Sequence, residues 1–257
     1  MATTAELAME SKNNVASGAE KWAKGKAISE AGNKESGNKT CERGPAREEA
    51  NGAKKAEEVG AEVEPRTGVS FPVRLEDGKQ LNSVGLRKKS ILGMGLKIYG
   101  FGIYADNEKL RDLLKSEFRE APARPTKEIY QKTIDSDVGM MVRMVIVFSG
   151  LTMSMVRKNF GEGLGGAVKK LAGGKKHADL TNKVLGEASD DIKLTSGSVI
   201  EISRLPGYTL QTKVTDKVVS KIQSELLCRA YINMYLGDDA IDTDAREKFG
   251  MSMLKLF

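Results

Sequence analysis

Histidine is almost missing: His177 is the only one in 257 residues. It stands in the run Lys175-Lys176-His177 and reads as a solvated residue at a helix start. The chain has two cysteines, Cys41 and Cys228. No His/Cys cluster can be assembled from so few, which argues against a zinc site. The same scarcity argues against Ser-His and Cys-His dyads. The cysteines lie in different regions, one in a polar stretch and one in an apolar helical pattern, so they form no disulfide framework, and a reducing compartment is expected. No apolar run is long enough to cross a bilayer, and no apolar segment of the secretory type follows Met1. There is no GxxxxGK[ST] loop. Gly161, Gly163, Gly165 and Gly166 cluster, but inside a helical pattern and not behind a strand, which is the wrong setting for a dinucleotide. The acidic pairs Asp190-Asp191 (with Glu187 nearby) and Asp238-Asp239 lack metal-loop spacing and read as solvated turns. No metal and no cofactor is expected. Lys169, Lys170, Lys175 and Lys176 are basic, but no aromatics are interleaved with them. They read as a solvated face and not as a nucleic-acid site.

Aromatics make up only 5% of the chain and are unevenly spread. Before Ser70 the only aromatic is Trp22, the only leucine Leu7 and the only isoleucine Ile28. Such a stretch buries too little apolar surface to offset the entropy of ordering it. Residues 1–64 are therefore expected to be a disordered low-complexity tail, and residues 65–257 a folded domain. The tail has 10 Lys+Arg against 12 Glu, which leaves the rest of this +6 chain at +8. A basic domain suits an anionic ligand, a nucleic acid or an acidic surface, although a solvated basic exterior gives the same balance.

After the tail, patterning is clear. Ser70 to Leu75 alternates as a strand, with Pro72 suggesting an edge. Asp77-Gly78 is a turn signal, and Gln80 to Arg87 is extended again. Ile91 to Ala105 (ILGMGLKIYGFGIYA) reads as a long strand with Lys97, Tyr99, Phe101 and Ile103 on one face. Its glycines permit curvature, close approach of a ligand or backbone, or helix packing on bare positions. Asp106 or Asn107 is expected to cap the next helix, with Leu110, Leu113, Leu114 and Phe118 at helical spacing. A short helix is expected near Lys127 to Thr133, and an apolar strand over Gly139 to Phe148. Thr152 caps a helix carrying Met153, Val156, Phe160, Leu164, Val168 and Leu171, which Gly173-Gly174 ends. A further helix covers Ala178 to Glu187. Ser198 to Leu205 and Tyr208 to Val214 form a hairpin about Pro206-Gly207. Thr215 or Asp216 is expected to cap a long helix with Val218, Val219, Ile222, Leu226, Ala230 and Met234 on its apolar face, ended by Gly237. A last helix starts at Asp244. This order gives an α+β class, with a mainly antiparallel sheet and helices segregated to one side.

At Gly85 to Asp106, GLRKKSILGMGLKIYGFGIYAD resembles the part of the chalcone isomerase superfamily that carries its characteristic arginine and the strand after it. The likeness continues through MSMVRKNFGEGL, GSVIEISRLPGYTLQTKV and VVSKIQSELLCRAYINMYLGDDAI. It covers nearly everything after about Thr67. It implies an open-faced β-sandwich: a large antiparallel sheet with a helical layer on one face. Within the superfamily the likeness is to the plant fatty-acid-binding members. That implies a fatty-acid ligand and a chloroplast stroma location. The tail's 12 Glu make a poor transit peptide, so the cytoplasm is the alternative.

The family's functional positions transfer one at a time. The arginine that holds the ligand's anionic oxygen matches Arg87. The strand threonine of true isomerases matches Tyr99. The isomerase tyrosine at the start of the next long helix falls near Met153, and the asparagine further along it near Phe160. The late-helix threonine or serine falls at Met234. Cyclising a chalcone needs the reacting groups held in place and the developing charge stabilised. Losing polar groups to Met, Phe and Met removes that support and adds apolar volume. Arg87 and Tyr99 remain as a polar end, a planar fork and a hydroxyl suited to one carboxylate. The resemblance thus implies a non-catalytic binder of fatty acids. A chalcone-type intramolecular lyase and a non-catalytic flavonoid-pathway accessory are the competing readings.

Overall fold

The computed structural model describes residues 60–91, 94–186 and 192–257. Most of the expected tail, the 92–93 dipeptide and the acidic turn at 187–191 lie outside the described residues. The tail's last four residues are strand, not tail. Ala61–Glu64 (β1) pairs antiparallel with Val69–Pro72 (β2), so the ordered domain starts earlier than its composition indicates.

A six-stranded sheet forms the centre of the domain: Gln80–Ile91 (β3), Met94–Ala105 (β4), Met140–Ile146 (β5), Val199–Leu205 (β6), Thr209–Val214 (β7) and Lys217–Gln223 (β8). Its spatial order follows chain order, and each neighbouring pair is antiparallel. The expected strand from Ile91 to Ala105 divides: Ile91 ends β3 and Met94 opens β4, two arms of one hairpin.

One face of the sheet bears the helices. Phe101, Ile103, Met140, Val142, Met144, Ile200, Ile202, Leu210 and Val214 alternate onto it and share one core with the helical side chains. The helices are Asn107–Glu117 (α1), Lys127–Asp135 (α2), Met153–Leu171 (α3), Ala178–Asn182 (α4), Glu225–Leu236 (α5) and Thr243–Leu254 (α6). A 3-10 turn, Lys183–Leu185, replaces the rest of the helix expected after Ala178. Asp106, Thr126, Thr152, Ser224 and Asp242 cap helix N-termini through side-chain oxygens.

The opposite face is covered in part by the β1–β2 hairpin, which resolves the reading of the β4 glycines. A Cβ at Gly100 would stand 3.0 Å from the Thr67 hydroxyl, and one at Gly102 3.0 Å from Phe71. These glycines admit the N-terminal hairpin, not a ligand and not a helix.

The expected helix from Thr215 or Asp216 is incorrect over its first turns. Thr215 and Asp216 have φ of 48° and 65° and form a two-residue hairpin turn. Lys217–Gln223 then pairs back on β7. Val218, Val219 and Ile222 satisfy helical spacing, but the open edge of β7 takes them as a strand. The helix starts at Ser224 instead. Its buried face is Leu227, Cys228, Ala230, Tyr231, Ile232, Tyr235 and Leu236, with Met234 only half-buried.

Candidate functional site

The β3–β4 pairing sets Arg87 directly opposite Tyr99. Phe101, two residues on from Tyr99, points to the helix-covered face, and so therefore do both members of this pair. Directly opposed residues on one face hold their Cβ atoms about 5 Å apart. The register shifts immediately after Arg87, so the strands are irregular where the pair sits. Among the described residues the Arg87 guanidinium has no hydrogen-bond or ion-pair partner; its neighbour is the Tyr99 phenol. Two residues further along β3, Lys89 donates to the Asn159 side chain of α3.

From Tyr99 a chain of aromatic rings runs across the core. Tyr99 meets Phe101 at 6.3 Å between centroids, Phe101 meets Tyr235 at 5.2 Å, Tyr235 meets Tyr231 at 5.5 Å, and Tyr231 meets Phe160 at 6.0 Å. The first three contacts are edge-to-face, the favoured arrangement for such rings. Gly85 makes room for this stack. It pairs with Phe101, and any side chain there would collide with the Phe101 ring and, at 2.7 Å, with Ala245 of α6.

The chain brings three phenols together. Burial pushes the pKa of Tyr99 up, with Tyr235 and the Arg87 charge opposing that rise. Burial holds Tyr231 and Tyr235 well above the ordinary phenol range. All three are therefore neutral hydrogen-bond donors at neutral pH. The Tyr235 hydroxyl donates to the Met144 sulfur at 3.7 Å. The Tyr231 hydroxyl is close enough to that of Tyr235 to have the rise in its own pKa opposed as an acceptor, but the contact falls short of full hydrogen-bond geometry and leaves the Tyr231 proton without an acceptor.

Of the five residues picked out from sequence, Arg87 and Tyr99 form a facing pair, and Phe160 joins the same aromatic chain from α3. Met234 packs its terminal methyl toward Gly163, 3.2 Å from where a Cβ would lie, at the α3–α5 contact. Met153 is wholly buried at the first position of α3. The helical side of the site is not the apolar surface that Met153, Phe160 and Met234 imply. Tyr231 and Tyr235 return two hydroxyls to it. Their i, i+4 spacing on an otherwise apolar face was the available signal, hidden by placing the start of α5 too early.

A separate groove of about 590 Å³ runs between α3 and α4. Lys158, Lys169, Lys176 and His177 line it, and Glu162 is its acid. It includes none of the five residues. Among the described residues no helix is long and apolar enough to cross a membrane, and no group of three or more His, Cys, Asp or Glu is placed to hold a metal.

No family model matches the chain. Individual proteins do. The chain is 57% identical over 197 residues to chalcone isomerase-like protein 1 of Humulus lupulus, spanning 76% of this chain and 92% of that protein. It is 35% identical over 191 residues to fatty-acid-binding protein 1 of Arabidopsis thaliana, spanning 73% and 68% respectively. The crystal structure of an Arabidopsis thaliana fatty-acid-binding protein superposes with a TM-score of 0.73 at 33% identity, over 77% of this chain and 98% of that one. The six-stranded antiparallel sheet under a one-sided helical layer is the fold the chain shares with that crystal structure. The chain belongs to the chalcone isomerase superfamily, close to its chalcone isomerase-like and plant fatty-acid-binding members.

Proposed function

We propose that this protein is a non-catalytic binder of fatty acids. The carboxylate sits on Arg87 and Tyr99, and the acyl chain lies between sheet and helices. The observation that carries this reading is the facing Arg87–Tyr99 pair, a guanidinium without a hydrogen-bond or ion-pair partner among the described residues beside a neutral phenol on the helix-covered face. A partly buried cation without an anion is an incomplete arrangement, and a carboxylate completes it with a short charge-assisted bond. Phe160, Met153 and Met234 supply apolar wall. Relatives named for fatty-acid binding support the ligand class.

The test is mass spectrometry of lipids that co-purify with the full chain, beside an Arg87→Ala variant. Fatty acids enriched with the native protein and depleted with the variant are expected. Absence of acyl species from both would remove the reading.

The two extra phenols favour one competitor. Tyr231 and Tyr235 could polarise a carbonyl as hydroxyl donors, as a chalcone-type lyase requires. Cyclisation of a chalcone above the uncatalysed rate would support that reading; no acceleration is expected. Preferential binding of flavanones over fatty acids would instead indicate a flavonoid-pathway accessory. A plastid location is part of the proposal, and imaging of the fluorescently tagged full chain in leaf cells tests it.

A further inference from the structure

Four buried side-chain oxygens among the described residues have no hydrogen-bond partner: those of Ser83, Tyr104, Thr212 and Tyr231. Such groups are rare in native folds, because an unmatched buried donor keeps the cost of leaving water and gains nothing for it. Tyr231 differs from the other three in its surroundings. It is wholly buried, its ring meets Tyr235 edge-to-face and Phe160 at a tilt, and its phenol shares an electrostatic environment with Tyr99, which in turn feels Arg87. Tyr104 is equally buried but lies on the opposite face of the sheet, with its ring beside Gly102 under the β1–β2 hairpin.

The hydrogen-bonding capacity around Tyr231 is one-sided. Arg87 carries five N–H donors and accepts nothing, while each neutral phenol donates one proton and accepts through its single oxygen. Tyr235 has one proton for three neighbours, the Met144 sulfur at 3.7 Å and the Tyr99 and Tyr231 hydroxyls, so it can satisfy only one of them at a time. None of the side chains in this group is an anion. The group as a whole offers donors in excess of acceptors, and the unmatched one comes from the helix side.

We propose that the Tyr231 hydroxyl is a third donor to the ligand headgroup, closing on it from α5 while Arg87 and Tyr99 hold it from the sheet, so that the site selects a free carboxylate anion over a neutral ester. This rests on the fatty-acid reading and extends it. An ionised carboxylate accepts at about four lone-pair positions and donates at none, which complements a cluster of donors. A methyl ester keeps the acyl chain and one carbonyl oxygen but lacks the charge and the second strong acceptor. Phe160, tilted against Tyr231, places the start of the acyl chain next to this third contact.

The experiment is isothermal titration of the full chain with myristate and with methyl myristate, in the native protein, Tyr231→Phe and Tyr104→Phe. Phenylalanine keeps both ring contacts of Tyr231, so the fold is retained. The expected result is myristate binding about 10- to 100-fold weaker in Tyr231→Phe, the range for a hydrogen bond to a charged group. Ester binding changes little. The unliganded thermal midpoint of Tyr231→Phe does not fall, because the substitution removes an unmatched hydroxyl. Tyr104→Phe leaves both ligands bound as in the native protein. Tyr231→Phe that holds myristate as tightly as the native chain overturns the proposal and leaves the fatty-acid reading standing. A lowered midpoint with equal losses for acid and ester also overturns it, because the hydroxyl would then serve the fold. A native protein that binds neither ligand fails at the underlying reading, and the proposal falls with it.

Discussion

Arg204 and Arg87 face the same side of the same sheet and have opposite surroundings. Arg204 is wholly buried. Its Nε donates to the Val138 carbonyl at 2.8 Å, Nη1 to Ile134 at 2.9 Å and Nη2 to Thr133 at 3.1 Å. Two of these carbonyls belong to the last turn of α2, where the helix dipole favours a cation. Burial lowers its pKa to about 10, with Cys228 and Asp137 among the groups that oppose the fall, so it stays charged at neutral pH. Arg87 is half-buried and has no hydrogen-bond or ion-pair partner among the described residues. Thus a guanidinium bonded to three peptide carbonyls and the Ser136 hydroxyl fastens the fold, and one whose donors find no partner among the described residues is, on the fatty-acid proposal, kept for a ligand. Arg66 stands between them. It is paired to Glu64 at 2.6 Å and Asp242 at 2.5 Å, joining the β1–β2 hairpin to the N-terminus of α6.

If this ranking holds, replacing Arg204 does the most damage to stability. Arg204→Met keeps much of the volume but removes the donors to the Val138 and Ile134 carbonyls and one of two donors to that of Thr133, which retains the Ser136 hydroxyl. A loss of about 3–5 kcal/mol is expected, as for other broken buried charge networks, read as a lowered urea midpoint at unchanged m-value. Arg204→Lys should recover only part of it, because an ammonium cannot reproduce the planar fork. A midpoint shift no larger than that of a surface substitution would end the comparison.

Arg66→Met should cost less, about 1–3 kcal/mol, because Arg66 is partly exposed and its loss leaves the Glu64 and Asp242 carboxylates without their cation. Its signature is pH dependence. Burial alone would raise both carboxyl pKa values. Thr67 and Arg66 more than offset this at Glu64, and the Leu86 amide and Arg66 do so at Asp242, so both end below their ordinary values. A carboxyl held low in the fold adds stability above its unfolded pKa and loses it as pH falls through the folded value. The gap between native protein and Arg66→Met should therefore be widest near neutral pH and narrow below the ordinary carboxylate range. Urea titrations repeated down to about pH 3 would show it. A gap independent of pH would assign the effect of Arg66 to packing.

The three arginines also differ in how far sequence reading reaches them. Arg87 and Tyr99 lie in one hairpin, and family resemblance marks both. Arg66 and Arg204 carry no local mark. Arg66 meets Asp242 across 176 residues, and the partners of Arg204 are mainly peptide carbonyls, which no pattern of residue types reveals. Caps such as Asp106 and Thr152 are legible because the bond they make spans one helical turn. β8 is not, because Lys217–Gln223 fits a helix and a strand equally well and the free edge of β7 decides. That one decision shifted the start of α5 and hid Tyr231 and Tyr235. Gly100 and Gly102 are legible as close-approach sites, but the hairpin that packs on them begins inside the stretch whose composition reads as tail.

The smallest effect on stability is the most informative. If Arg87 is held in reserve for a ligand, Arg87→Ala should leave the unliganded chain within about 0.5 kcal/mol of native, as for surface positions. A modest gain is also consistent, because removing a half-buried, unpartnered charge removes its desolvation cost. The contrast appears on adding ligand. Saturating fatty acid should raise the thermal midpoint of the native chain by linkage, since it binds only the folded state, and should barely move that of Arg87→Ala. Arg204→Met, though far less stable, should still gain from ligand, because its guanidinium contacts α2 and not the Tyr99 stack. Equal ligand-induced shifts in the native chain and Arg87→Ala would mean that the headgroup is held elsewhere. Arg87 would then be an unpaired cation on a sheet edge and nothing more.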